Sequence, residues 1–329
     1  MSHRAGKGHL LLSATLLFLG LLTRSSAASA RQPVPSDFNG DGKTDIAVFR
    51  RAEGTPGVAY WKYLTSCDDT SEDSIQWGVS TDTPVPGDYD GSSATEPAIA
   101  RPGTSQSQLE WWVYPGPGVE AFFSLNTDIP LPRDYVGADG ETEIATVRPG
   151  SGDLLWLVRN EGTGAYYAPR SWGLSSDKLV PEDYDGDGKA DPAVFRPSDG
   201  YWYIQYWSPV PSGPEWLSVQ FGYSTDRPVP GDYDGDGKAD LAVFRPSNGT
   251  WYILQSSTTP NTDVVQWGVS TDIPVPGDYN GDGKFDPAVF RPSTATWHIL
   301  YSNWGGECHK QFGVGTDTPV PALYTPYYQ

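Results

Sequence analysis

Pro228-Val229-Pro230-Gly231-Asp232-Tyr233-Asp234-Gly235-Asp236-Gly237-Lys238-Ala239-Asp240-Leu241-Ala242-Val243-Phe244-Arg245-Pro246-Ser247 is the stretch on which the fold turns. It recurs almost verbatim from Val180 and Pro274, clearly from Pro33, and in weaker form from Pro84 and Pro130. The first acid of each copy falls at Asp37, Asp88, Asp134, Asp183, Asp232 and Asp278, with steps of 51, 46, 49, 49 and 46 residues. A period of about 40–50 residues marks repeated small sheets, each unable to bury its apolar face alone. The repeats run 33–83, 84–129, 130–179, 180–227, 228–273 and 274–318, followed by one more opening, a final strand at 319–324.

Each repeat reads as four short strands: the Pro-Val-Pro opening, the Ala-Val-Phe-Arg run, Trp-Tyr-Ile-Leu, and Val-Val-Gln-Trp ahead of a glycine. Asn248-Gly249 supplies the tight turn between the second and third strands. Gly and Pro make up 67 of 329 residues, which breaks any sustained helical pattern, while aromatics at 13% argue against disorder. An all-β chain of six such units hides its sheet edges best as a ring. The expected fold is a β-propeller of four-stranded blades, six most simply. The final strand has no slot in a count of 24, so it either packs on the first blade or signals a seventh.

Residues 1–30 read as a secretory signal: Arg4 and Lys7, an apolar run from Leu10 to Leu22, then Ala28-Ser29-Ala30, with cleavage expected after Ala30. That run of 13 residues is too short to span a membrane of about 30 Å, so no transmembrane anchor is expected. The mature chain keeps 19 Lys and Arg against 41 Asp and Glu, a net charge of −22. With no basic block, nucleic acid is excluded as a partner.

The acids concentrate in the loop Asp232-x-Asp234-x-Asp236-Gly237-x-x-Asp240, with carboxylates at positions 1, 3, 5 and 9. Hard oxygen ligands at alternating places in a glycine-curled loop suit Ca²⁺, with the carbonyl of Lys238 as a further donor. The pattern repeats in Asp183, Asp185, Asp187, Lys189 and Asp191; in Asp278, Asn280, Asp282, Lys284 and Asp286; and in Asp37, Asn39, Asp41, Lys43 and Asp45. An EF-hand is excluded, because its position-12 glutamate is replaced by Val48, Val194, Val243 and Val289 within strand patterns.

These loops, the Ala-Val-Phe-Arg-Pro that follows them, and Trp267-Gly268 or Phe312-Gly313 ahead of each opening resemble the FG-GAP/VCBS repeats of integrin-type β-propellers. The resemblance implies Ca²⁺ in the loop between the first and second strands of a blade. The second loop (Asp88, Asp90, Ser92, Ser93, Glu96) and the third (Asp134, Val136, Ala138, Asp139, Glu143) depart from the pattern and are expected to be empty. About four Ca²⁺ per chain are expected, bracing the turns rather than doing chemistry.

Arg50, Arg101, Arg148, Arg196, Arg245 and Arg291 close the second strands, and Asp82, Asp128, Asp177, Asp226, Asp272 and Asp317 precede the openings that follow. Pairs between these sets, tying blades on the rim opposite the loops, compete with independent solvated charges. Trp61, Trp112, Trp156, Trp202, Trp251 and Trp297, with Trp77, Trp172 and Trp267, recur too regularly to be anything but packing. Trp207, Trp216 and Trp304 fall outside the repeat, so each either covers an outer strand or contacts a ligand. Cys67 and Cys308 lie in the first and last repeats, neighbours in a ring of six, and form either a disulfide or two free thiols.

His298 and His309, the two histidines of the mature chain, carry no catalytic context. The reading is a secreted, monomeric, calcium-binding module for an extracellular protein or glycan, with lectin activity its most concrete form. The alternative is a polysaccharide lyase or hydrolase using single-copy acids such as Glu110 or Glu215. A third is a structural module without a ligand of its own.

Overall fold

The structure, a computed structural model, describes residues 34–52, 57–103, 108–116, 120–137, 139–159, 167–207, 214–257, 262–303 and 305–321. The expected signal segment, Trp304, and residues 322–324 of the final opening lie outside these. Blade one contains β1 (Ile46–Arg51), β2 (Val58–Leu64) and β3 (Asp73–Val79). Blade two is β4 (Thr83–Pro84), β5 (Ala98–Pro102), β6 (Gln108–Val113) and β7 (Glu120–Leu125). Blade three is β8 (Ile129–Pro130), β9 (Ala145–Pro149), β10 (Asp153–Val158) and β11 (Arg170–Leu174). Blade four is β12 (Lys178–Leu179), β13 (Ala193–Arg196), β14 (Tyr201–Gln205) and β15 (Trp216–Gln220). Blade five is β16 (Arg227–Pro228), β17 (Leu241–Arg245), β18 (Thr250–Leu254) and β19 (Thr262–Gln266). Blade six is β20 (Ile273–Pro274), β21 (Ala288–Arg291), β22 (Thr296–Leu300) and β23 (Glu307–Gln311), after which β24 (Thr318–Pro319) returns to blade one.

Among the described residues 24 strands form six antiparallel four-stranded sheets, a ring of six blades. The final opening is accommodated in blade one. β24 takes that place as the innermost strand of blade one, in the order β24-β1-β2-β3, with Phe49 opposite Thr318. Ser36 O continues the same edge by accepting the Asp45 N–H at 3.0 Å. The inner strand of blade one is therefore composite, built from both ends of the described chain.

The Pro-Val-Pro openings suit this innermost edge. Val229 N–H donates to Ala242 O at 2.8 Å, and Val85, Leu131, Val180, Val275 and Val320 make the same bond in the other blades. Residues alternate sides along a strand, so the flanking prolines stand where an N–H would face the axis with nothing to pair. An edge stripped of donors resists adding a further strand.

The core follows a period of two. In β17, Leu241 and Val243 pack with blade four, while Ala242 and Phe244 pack with Trp251, Ile253 and Val289 of blades five and six. Each sheet thus buries both faces against its neighbours. Phe49, Phe195, Phe244 and Phe290 are fully buried and meet Trp61, Trp202, Trp251 and Trp297 at ring-centroid distances of 5.1, 5.5, 5.5 and 5.4 Å. The indole N–H groups are satisfied across the sheet: Trp202 donates to Phe221 O at 2.7 Å and Trp251 to Trp267 O at 2.8 Å. Trp77, Trp172 and Trp267 reach the next blade, donating to Trp112 O, Tyr203 O and His298 O.

Blade two corrects one expectation. Its buried tryptophan is Trp111, opposite Ala100 as Trp251 is opposite Phe244, and not Trp112. One residue along a strand changes the face. Trp112 instead lies beneath the Arg101 guanidinium, 5.4 Å from its ring centroid. Because Trp251 is fully buried, Trp251→Ala should lower unfolding stability by about 3–5 kcal/mol. The half-exposed Trp216 should tolerate alanine with a change within about 0.5 kcal/mol, both read by chemical denaturation.

Candidate metal centres and binding surfaces

In blades two to six the acid-rich loops connect the innermost strand to the second, and in blade one the loop leads from Ser36 into β1. Position one organises the curl. Asp232 Oδ1 accepts from Gly235 N at 2.6 Å and its Oδ2 from Gly237 N at 2.9 Å; Asp183 and Asp278 do the same in their loops. In loop one, Asp37 accepts from Asp41 N and Gly42 N. Gly235 and Gly237 hold φ of 80° and 86°, the left-handed region in which other side chains are strained. The backbone carbonyl of position one binds the neighbouring blade. Thr95, Thr142, Ala190, Ala239, Phe285 and Thr44 donate their N–H groups to Asp37, Asp88, Asp134, Asp183, Asp232 and Asp278 at 2.6–2.8 Å, a closed circle around the axis.

Position nine is the most deeply placed acid. Asp45, Asp191, Asp240 and Asp286 are fully buried, and Glu96, with Glu143 at position ten of the longer loop three, nearly so. Each accepts the N–H of position two, from Phe38, Tyr89, Tyr135, Tyr184, Tyr233 or Tyr279. The second oxygen of Asp191, Asp240 and Asp286 also has a donor: Trp207, Ser256 and Ser302 N–H, respectively. Asp45 Oδ1 has none. Burial, reinforced by the neighbouring loop acids, pushes Asp45 and Asp191 up to about 8 and Asp240 and Asp286 up to about 7.

Positions three and five stay accessible. Asp185 and Asp234, and in the other two loops the amide oxygens of Asn39 and Asn280, accept from the position-five N–H of Asp187, Asp236, Asp41 and Asp282. Those position-five acids accept from the N–H of Lys189, Lys238, Lys43 and Lys284. The stems of Lys238, Lys284 and Lys43 lie along Gly186, Gly235 and Gly281 of the preceding blade, bringing a cation beside a neighbouring acid loop.

One carboxylate oxygen from each of Asp183, Asp185 and Asp191 lies within 4.8 Å of the others, as in Asp232, Asp234 and Asp240. Loop two, expected to be empty, makes the same convergence from Asp88, Asp90 and Glu96. The expectation of an empty loop rested on Ser92 and Ser93 standing in place of an acid and a glycine. Ser93 adopts φ of 71° regardless, so the curl survives the lost glycine. In loop three, Val136 at position three has no side-chain oxygen, and Ala138 lies outside the described residues.

On the opposite rim the six Arg and six Asp do pair. Arg50 with Asp317, Arg101 with Asp82, Arg148 with Asp128, Arg196 with Asp177, Arg245 with Asp226 and Arg291 with Asp272 form bidentate bridges at 2.7–2.9 Å. Each Asp also accepts an N–H from the end of the previous blade, as Asp272 does from Val269 at 2.9 Å. It therefore joins two blades through one buried side chain. Arg50 and Asp317 place this joint at the seam of the ring, beside a Cys67–Cys308 disulfide with a Cα separation of 6.3 Å. Cys308 lies inside β23 rather than in the loop before it.

Trp207 is half-buried, its ring 5.8 Å from Tyr135 and under the Arg170 guanidinium at 4.4 Å, which makes it a cover for the core. Trp216 is 51% exposed on the outer strand of blade four. His298 takes the place held by Tyr203 and Tyr252, as expected. Its Nδ1 lies 2.8 Å from Nδ1 of His309, which stacks on Trp267. Glu110 is in β6 of blade two and Glu215 just ahead of β15 of blade four, so the fold places them on different blades. At the axis, a cavity of about 460 Å³ opens among the acid loops, where Arg133 and Glu182 pair at 3.3 Å.

The FG-GAP-like repeat model matches residues 183–243 and 232–289. No curated protein matches the chain. Among solved structures, an Agrocybe aegerita lectin that recognises non-reducing terminal N-acetylglucosamine aligns with a TM-score of 0.50 at 14% identity, covering 85% of this chain and 80% of that one. A functionally unknown protein from Desulfotomaculum acetoxidans aligns at 0.45 and 10% identity over 85% and 84% of the two chains. Apo AztD from Citrobacter koseri aligns at 0.36 and 12% over 83% and 73%.

Removing one partner of a buried bidentate pair strands the other. Asp272→Ala leaves the Arg291 guanidinium and the Val269 N–H without their acceptor and should cost on the order of 2–3 kcal/mol in a urea melt.

Proposed function

The chain is an FG-GAP repeat β-propeller, and from that premise we propose that it is a secreted, calcium-stabilised binding module for an extracellular glycan or protein surface. Asp45 Oδ1 carries the calcium assignment: a fully buried carboxylate oxygen without a donor among the described residues, at the end of an acid-rich loop. An oxygen left so requires a cation or a proton. The donor set, carboxylate and amide oxygens only, fits Ca²⁺. Loops one, four, five and six hold it through the residues named at positions one, three, five and nine, with the position-seven carbonyl. The convergence of Asp88, Asp90 and Glu96 supports a fifth ion in loop two. Sites repeated around a ring at blade joints are structural in kind.

The Cys67–Cys308 disulfide supports passage through an oxidising compartment, in keeping with a leader cleaved after Ala30. No helix among the described residues is long and apolar enough to cross a membrane. Binding rather than turnover is the reading because the buried acids are occupied in bracing loops and joints. Glu110 and Glu215, the acids proposed for a lyase or hydrolase, lie on separate blades. The fold shared with an N-acetylglucosamine-recognising lectin makes a glycan the first ligand class to test.

Protons and Ca²⁺ compete for the same buried acids. Without metal, Asp45 and Asp191 titrate near 8 when folded, against 3.8 for the ordinary value, so their stabilising contribution is complete below about 4 and is lost as pH rises through about 8. Ca²⁺ removes that loss, each site adding about 2.7 kcal/mol at a free concentration of 100 times its Kd. The melting temperature of residues 31–329 should therefore fall on chelation, with a gap that is small at pH 5 and widens towards pH 8. A gap absent at every pH would refute the calcium reading. Secretion is checked separately by N-terminal sequencing of the exported chain, expected to begin at Arg31.

A further inference from the structure

The rim opposite the acid loops carries an irregularity that neither packing nor metal binding uses. Three places ahead of the bridging Asp226, at the end of blade four, stands Tyr223, 65% exposed, the most exposed large hydrophobic among the described residues. The corresponding residues of the other blades are aliphatic: Val79, Leu125, Leu174, Val269 and Val314. Exposure means that Tyr223 contributes little to the core, so the repeat alone does not account for an aromatic ring here.

The ring is nevertheless held firmly. Arg245 is fixed by its bidentate bridge to Asp226, and its guanidinium lies between Tyr223 at 4.2 Å and Tyr252 at 4.1 Å. Tyr223 N–H donates to Asp226 Oδ2 at 2.9 Å, fixing the backbone as well. One face of Tyr223 rests on this stack and the other is left to solvent. The ring borders a cleft of about 640 Å³ between blades four and five, together with Asp199, Gln220 and Tyr252. Asp199 accepts from Tyr201 N–H at 3.0 Å and Tyr203 OH at 3.2 Å, which fixes its orientation while using two of about four lone-pair sites. Gln220 Nε2 donates to the Asp199 carbonyl at 3.1 Å.

We propose that this cleft binds one neutral pyranose ring of a glycan, its apolar C–H face on Tyr223 and its hydroxyl edge on Asp199 and Gln220. The proposal rests on the glycan reading above and names its site. A rigid aromatic platform beside a fixed carboxylate matches a ligand with one apolar face and several hydroxyl donors, and the cleft has the size of a small-molecule site. The charge selects a neutral sugar. Arg245 is committed to Asp226, Asp199 contributes a negative charge, and the mature chain is strongly acidic, so sugars bearing carboxylates or sulfates are repelled.

The test uses residues 31–329 in Ca²⁺ on immobilised neutral oligosaccharides containing hexose or N-acetylhexosamine ends, with uronic- and sialic-acid-terminated ones alongside. Wild type should bind neutral ends only. Tyr223→Val, which installs the residue other blades carry, should weaken binding about tenfold or more while leaving the melting temperature unchanged. Tyr223→Trp should retain binding, and so should Trp216→Ala. Glycan binding that survives Tyr223→Val but is lost in Trp216→Ala would overturn this site and leave the glycan function standing. Preference for anionic ends would also overturn the site as described. Absence of wild-type binding to every oligosaccharide would remove the glycan reading and this cleft with it.

Discussion

Each blade buries the carboxylate that ends its acid loop, and the rest of the molecule is arranged around that cost. Asp45, Glu96, Glu143, Asp191, Asp240 and Asp286 sit beneath the loop they terminate, each held by the N–H of the second loop residue. A charge taken out of water must be paired, neutralised or coordinated. Here the protein supplies backbone N–H donors, and the lysine stems of position seven lie along the neighbouring loops. A divalent cation, as proposed, would satisfy the constraint while drawing loop oxygens together. The same loops carry the circle of backbone bonds that joins neighbouring blades near the axis, so loop order and ring order are one property.

The two rims solve the joining of blades differently. On the loop rim, backbone carbonyls of the first acids meet N–H groups of the next blade; on the other, a buried aspartate collects a guanidinium from one blade and a backbone donor from another. Side-chain size is matched around the axis in the same way. Gly231 leaves room for Phe285 and Gly277 for Thr44, whereas Arg133 and Glu182 occur where the next blade presents Ala190 and Ala239. The seam is the most heavily joined place, with β24 on β1, Arg50 on Asp317, a disulfide, and Lys310 donating to carbonyls of Cys67 and Asp69. A ring made from a linear chain has one joint without covalent continuity between neighbouring blades, and the additional bonds fall there.

Much of this was legible before any coordinates, because repetition turns one reading into six. The period, the four strands, the rim on which Arg and Asp meet and the packing tryptophans all follow from residues that recur at fixed offsets. What was not legible depends on single-residue register or on both chain ends meeting. Trp111 and Trp112 are adjacent, and only the pairing with Ala100 decides which is buried. The seventh opening has its place only because the chain closes on itself, with β24 as the innermost strand of blade one. Loop two looked defective because its glycine is Ser93, yet that residue takes the left-handed conformation and brings Asp88, Asp90 and Glu96 together. Tyr223 carried no signal in the repeat at all, since departures from a pattern mark either drift or function and only exposure and surroundings distinguish them.

The central claim is that buried loop carboxylates hold Ca²⁺ as part of the fold. The most direct measurement is native mass spectrometry of residues 31–329 purified in Ca²⁺, before and after stripping with chelator. Five tightly held ions, lost together with the compact charge distribution of a folded ring, are the predicted result. A folded chain that carries no calcium before stripping, with an unchanged charge distribution after it, would contradict the account.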